Sequence, residues 1–438
     1  MSVYNSNVET KILDPVFDRK NFRTEFRLDE HNAVYLSNWR LDGMGIVTNG
    51  NLNAYNPILG TFCMNSIQLY DGNQLLDQIL SADLYKAFKT FNNSNDENKS
   101  INNWVDRGSY GFETDVVNGD NWQDWTNNLP NVGDIRMVTA LIDQFTLSDT
   151  QGETDHASWF SLKGFLPILS SSLYLPSMVY KNLRLVINWK NPAQLKEIAV
   201  DTSDVFETYE NCSLIVDMVR DDKIKDAIVK NYKGVVFRAV EHDRVQVNQI
   251  NPPAGSKLFQ NNRFLVNGFN NKTVERMFVV QTPVNVSTYR DPQNTDVNDG
   301  IGAMSSMAQL DNQFQFRVNG QNKLPRDGYT RKNQRLAALV DAYGECCLPT
   351  ASNFVYVPKM NDLAEPIDND DFIQGMLGQI DWTGIEIREP VKELIVEYNR
   401  GGVDGNPKLN QPLRLNMFAE CVKSISVGKD MNYVVQYL

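Results

Sequence analysis

Two stretches of the chain repeat one pattern of apolar and polar positions. In residues 67–91, Ile67 and Leu69 alternate with Gln68 and Tyr70, the period-two signature of a half-buried strand. Asp71-Gly72 follows, a pair suited to a tight hairpin turn because one residue there must adopt a positive φ. Leu84, Ala87, Phe88 and Phe91 then fall at helical spacing and make one apolar stripe. Residues 316–344 read the same way: Phe316 and Val318 alternate, Asn319-Gly320 supplies the turn, and Leu336, Leu339, Val340 and Tyr343 form the stripe. The match needs a one-residue gap before the turn, after which Leu76 and Leu324 stand at equal distance from Gly72 and Gly320. One supersecondary unit written twice, far apart in a long chain, predicts two copies of one domain.

The rest of the pattern is short strands and turns. Phe26 with Leu28, Val34 with Leu36, and Trp39 with Leu41 predict two strands before the first hairpin. Residues 92–133 lose all periodicity but hold Trp104, Trp122 and Trp125, which predicts an elaborated surface loop whose aromatics either pin it down or meet a neighbour. Ile135, Met137, Leu141, Phe145 and Leu147 share one face of a further strand. The apolar run 159–176 is broken by Gly164, Pro167 and Pro176, so it turns. Leu183, Leu185, Ile187 and Trp189 alternate strictly and read as the last strand of the first half.

The acidic stretch 191–211, with Pro192, reads as the linker. Strand patterns resume at 212–218, 235–247 and 274–286, and Asn251-Pro252-Pro253 interrupts them. Residues 290–309 read as a second loop and 344–371 as mostly loop. Val391 to Tyr398 alternate, Gly401-Gly402 and Asp404-Gly405 read as turns, and Leu413, Leu415, Met417, Ala419 and Cys421 share one strand face before the closing Tyr433, Val435 and Tyr437. Many short strands with few helices predict an all-β protein of two tandem sandwiches. The divisions are 1–20, a polar arm that orders against a partner; 21–200, the first sandwich; and 201–438, the second.

Composition narrows the function. A chain of 438 residues exceeds one ordinary core. No apolar run approaches a bilayer span, and the N-terminal residues lack the basic and apolar regions of a secretory leader. The five cysteines, Cys63, Cys212, Cys346, Cys347 and Cys421, are odd in number and form no CxxC pair, which predicts reduced thiols. The sequons at Asn92, Asn98, Asn271 and Asn285 are then coincidental. A net charge of −12 argues against coating nucleic acid directly.

Candidate chemistry is sparse. His31, His156 and His242 are not spaced with one another or with cysteine for zinc, and they read as surface histidines. Gly255-Ser256-Lys257 lacks the upstream glycine of a phosphate cradle, and Asp368-Asn369-Asp370-Asp371 reads as a solvated acidic turn rather than a calcium loop. Arg331 and Arg335, with Lys332, read as a solvated helix face. No catalytic, cofactor-binding or metal-binding residue is assigned, and no enzyme activity is expected. A carboxylate pair in a sandwich cleft would support the alternative, a carbohydrate-binding or glycoside-hydrolysing β-sandwich protein.

Residues 67–91, 165–189, 336–344 and 413–437 together resemble segments of the double jelly-roll major capsid proteins, those of polinton-like viruses and virophages in particular. The resemblance touches both halves and implies two tandem eight-stranded jelly rolls standing side by side. It implies a homotrimer whose six rolls form a pseudo-hexameric capsomer. It also implies neighbouring capsomers and penton and minor capsid proteins as partners, and a place in the virion of an icosahedral double-stranded DNA virus assembled in the host cytoplasm or nucleus. The arm would lie at the inner base, and 92–133 and 290–309 would form outer towers or reach between subunits. No extra tower domain is apparent in either half.

Overall fold

The computed structural model describes residues 7–18, 21–44, 46–48, 64–85, 138–139, 158–190, 207–209, 212–284, 311–325, 328, 332–343, 354–355, 382–403 and 412–438. In the first half the strands are β1 (Val8–Leu13), β2 (Val16–Asp18), β3 (Arg23–Leu28), β4 (Val34–Leu36), β5 (Arg40–Met44), β6 (Ile46–Thr48), β7 (Met64–Asp71), β8 (Gln74–Leu80), β9 (Val138–Thr139), β10 (Ser158–Ser161), β11 (Tyr174–Pro176), β12 (Leu183–Trp189), β13 (Glu207–Tyr209) and β14 (Ser213–Val219). The second half supplies β15 (Gly234–Val247), β16 (Lys257–Val266), β17 (Lys272–Pro283), β18 (Asp311–Val318), β19 (Gln321–Asn322), β20 (Phe354–Val355), β21 (Trp382–Val391), β22 (Leu394–Val403), β23 (Leu413–Val427) and β24 (Tyr433–Tyr437). Besides the helical residues 82–85, three α-helices are described: α1 (Pro167–Ser171), α2 (Asp222–Asn231) and α3 (Lys332–Tyr343).

Each half is a pair of sheets. In the first half one sheet has the order β10–β5–β14–β4–β11, with β1 also on β14, and the other β2–β3–β12–β7–β8. In the second half one sheet has the order β15–β23–β17–β21, with β24 also on β23, and the other β16–β22–β18–β19. Eight positions can be numbered along each half. The first half fills them with β1, β3, β4 (continued by β5), β7, β8, β11, β12 and β14; the second fills them with β15, β16, β17, β18, β19, β21, β22 and β23. Both halves then have one sheet in the order 1-8-3-6 and one in the order 2-7-4-5. This shared connectivity is the jelly roll, two four-strand layers with strands crossing between them. The first half adds β2 and β10 to these positions, and the second adds β24.

The expected hairpins are present. Asn319 and Gly320 both take positive φ (49° and 83°) between the paired Val318 and Gln321. In the first hairpin the two loop residues are Gly72 (φ 57°) and Asn73, between the paired Asp71 and Gln74. The register then slips: Tyr70 faces Leu75 while Leu69 faces Asp77, so Leu76 is the extra residue of a β-bulge.

Several expectations are corrected. Residues 8–13 are not an arm awaiting a partner: β1 pairs with β14 along its whole length, from Val8↔Val219 to Leu13↔Leu214. Three of its six side chains are exposed and none is fully buried, so the ladder holds it without an apolar period to mark it. The last strand of the first half is not β12. Strand β14 lies beyond the divide placed at 200, yet it pairs with β1, β4 and β5, so the divide between the halves falls after it. Gly401 and Gly402 are not a turn but the end of β22, paired with Phe259 and Leu258. The strand expected around 135–147 is described only at β9, which pairs with β20. The helix expected after the first hairpin is described only to Tyr85, and Trp104, Trp122, Trp125 and the loops 92–133 and 290–309 lie outside the described residues.

Two large cores result. The second half encloses its own, with Val247, Val266, Phe269, Met277, Phe316, Val396 and Met417. The other fills the first half with Phe26, Trp39, Leu69, Leu162 and Leu185, and runs on without a break into Phe237, Phe278, Leu339, Phe418 and Ile425 of the second. The halves are therefore joined through a shared core.

Candidate functional site

The seam between the halves is the most elaborated part of the described molecule, and it begins at the bulge. An extra residue in a strand leaves backbone groups without ladder partners. The carbonyl of Leu76 is met instead by Lys423, whose Nζ donates to it at 2.6 Å from the end of β23. Lys423 is buried, and burial holds its ammonium below the usual lysine range while the nearby Asp77 and Glu241 charges oppose that shift. Its ammonium lies 5.3 Å from the Tyr437 ring centre and 5.9 Å from that of Phe237.

Asp77 follows the bulge and is fully buried. Its Oδ1 accepts from the Gln78 N–H at 2.9 Å, and its Oδ2 accepts from the Ile168 N–H at 2.8 Å, holding the first turn of α1. Burial pushes its carboxyl up to about 7, against the pull of those two N–H donors and Lys423. Around Lys423, Glu241 accepts from the Tyr437 hydroxyl and pairs with Lys272 at 2.9 Å. Beside this cluster the Tyr433 hydroxyl donates to Asp71 at 2.7 Å, and Tyr180 packs on Tyr433 with ring centres 5.2 Å apart.

Residues 418 and 423 lie on opposite faces of β23, because side chains alternate along a strand. On the Phe418 side, Phe418 stacks on Phe278 at 4.9 Å, and Tyr85 of the first half lies 5.9 Å from Phe418 and 6.1 Å from Phe278. Arg276 donates to Glu420 at 2.7 Å and lies over the Tyr343 ring of α3 at 4.3 Å. Burial, reinforced by the Glu420 charge, drives the Tyr85 hydroxyl well above the ordinary tyrosine range. The first half thus grips the second half's sheet from both faces. The arrangement packs the two modules against each other, and its charged groups Asp77 and Lys423 are buried in that contact.

The residues considered for chemistry fall elsewhere. His242 is not a surface histidine: its ring packs on Phe418 at 4.6 Å, and burial pulls its pKa down to about 4. His31 is exposed, and His156 lies outside the described residues. Arg335 is not solvated but buried, 5.9 Å from the Phe314 ring centre. Gly255 (φ 72°) and Ser256 close a turn in which Ser256 N–H donates to the Pro253 carbonyl at 2.9 Å. Residues 368–371 are outside the described residues. Among the described residues no group of three or more His, Cys, Asp or Glu could hold a metal ion, and no helix is long and apolar enough to cross a membrane. Cys212 and Cys421 are buried free thiols, each pushed up to about 12 by burial. The sequence does not single out the seam residues Asp77, Glu241, Lys272 and Lys423, because no local apolar pattern marks them.

No family model matches the chain, and no curated protein matches it. Solved structures do. PBCV-1 VP54, fitted into a reconstruction of the virophage Sputnik, is similar at a TM-score of 0.58 and 10% identity, over 99% of this chain and 97% of that one. A chain of the PBCV-1 virus capsid is similar at 0.55 and 12% identity, over 99% and 97%. A chain of the Sputnik virophage itself is similar at 0.55 and 9% identity, over 98% and 88%. The chain has the double jelly-roll fold, the fold of the major capsid proteins of large DNA viruses and virophages.

Proposed function

We propose that the protein is a major capsid protein, three copies of which build a pseudo-hexameric capsomer of an icosahedral double-stranded DNA virus shell. The observation that carries this reading is the doubling: two sandwiches of one strand order, 1-8-3-6 over 2-7-4-5, locked side by side through a shared core. Two like modules per chain let a closed ring of three chains present six similar modules. The likeness in fold to capsid chains over nearly the full length supports it. On this reading the two rolls divide between β14 and β15, the partners are neighbouring capsomers and penton and minor capsid proteins, and the protein resides in the virion. It has no enzymatic role and makes no direct sequence-specific contact with nucleic acid. A carbohydrate-active sandwich finds no supporting arrangement among the described residues. Light scattering of the purified protein tests the reading: particles of three times the chain mass of 49.9 kDa are expected, and a strict monomer at high concentration contradicts it.

A further inference from the structure

Strand β16 is an edge. It pairs with β22 over all ten residues, from Lys257↔Val403 to Val266↔Leu394 with no break in register, and no described strand pairs with its other side. The same position in the first half, β3, is covered by β2, with Val16↔Glu25 to Asp18↔Arg23. Natural edges are usually short, bulged or covered, because an open ladder recruits another strand. Strand β16 is long and unbulged, and it exposes Leu258, Phe259 and Leu265, the last two more than half exposed.

The strand is also complementary to itself. Antiparallel strands related by a two-fold axis through residue 262, perpendicular to the sheet, place residues opposite each other on a common face. Phe259 then meets Leu265 of the second copy, Leu258 meets Val266, and Asn261 meets Arg263, each pair occurring twice. Phe259–Leu265 and Leu258–Val266 are apolar pairs toward both ends, Gln260 meets Phe264 between them and the centre, polar residues meet at the centre, and no like charges stand opposite. A two-fold contact requires this self-complementarity.

We propose that β16 is a homotypic interface, pairing antiparallel with β16 of a second copy about Asn262 and joining two sheets into one. The inference goes beyond the capsomer reading, since a two-fold contact joins two units whatever each unit contains. Sedimentation of the full chain beside Phe259→Lys/Leu265→Lys tests it. The wild type is expected at twice the mass of the variant if the smaller unit is one chain, and at two or more units if it is three chains, each of which carries its own β16 edge. Equal masses, with the variant's circular dichroism unchanged, overturn it. Independently, Asn262→Cys is expected to cross-link two chains on mild oxidation, because a residue on the axis faces its own copy within disulfide reach. Failure of Asn262→Cys to cross-link beyond the wild-type background also overturns it.

Discussion

The eighth strand of each half occupies the same topological place and has a different fate. In the first half β14 is seven residues long, and β1 covers it at the edge with side chains of which none is fully buried. In the second half β23 runs fifteen residues and is buried almost throughout. Leu413, Leu415, Met417, Ala419 and Cys421 fill the second roll's core, while Asn416, Phe418 and Glu420 are buried on the opposite face. A strand covered on both faces loses its alternation. The lesson is that one blueprint serves two purposes: the first roll completes itself with its own N-terminal strand, and the second roll lends its sheet as a wall between two cores.

The largest test of that difference is Phe418→Ala. It removes a buried aromatic from the shared core and is expected to cost about 3–5 kcal/mol. Chemical denaturation measures the loss, and hydrogen exchange should show it in both halves. Ile12→Ala on exposed β1 should change stability by no more than about 0.5 kcal/mol. Equal effects at the two sites would erase the distinction.

Lys423→Met should come next. It leaves the Leu76 carbonyl without its donor inside the seam, an expected loss of about 1–3 kcal/mol in denaturant unfolding. No loss would mean that the bulge is satisfied some other way.

The seam also carries a pH signature. Asp77 is raised from 3.8 to about 7 in the folded protein, so between those values the native state holds a proton that the unfolded chain has released. Stability from this group is therefore fully present below about pH 4 and declines as pH rises through 7. Urea midpoints taken from pH 5 to 8 should fall less steeply in Asp77→Asn than in the wild type. Parallel profiles would remove Asp77 from the account.

A modest effect should come where the halves agree. Gly72 and Gly320 both take positive φ at hairpin tips with open space around them. Replacing either with alanine should cost about 1 kcal/mol, from backbone strain alone. Unequal thermal shifts in the two variants would show that the two turns are not equivalent.

Much of what could be read in advance follows from strands with one face toward a core. Leu183, Leu185 and Ile187 in β12, and Phe316 and Val318 in β18, alternate because one side of each faces a core. Strand β1 was missed because its ladder to β14 holds side chains of which none is fully buried. The divide was misplaced because the acidic stretch before Cys212 looked like a linker. Helix α2 went unread although Asp221 caps it, its carboxylate accepting from the Ile224 N–H at 2.9 Å; only Val229 is buried, too little for an apolar stripe. The seam was illegible for a different reason. Lys423 and Asp77 are polar residues in strands, and nothing local shows that the other half of the chain will close over them.

Electron microscopy of the purified protein tests the central claim most directly. The account predicts particles of hexagonal outline in which alternate corners differ, the mark of two modules repeated around a three-fold axis. Isolated two-lobed particles at all concentrations, or rings of any other order, would contradict it.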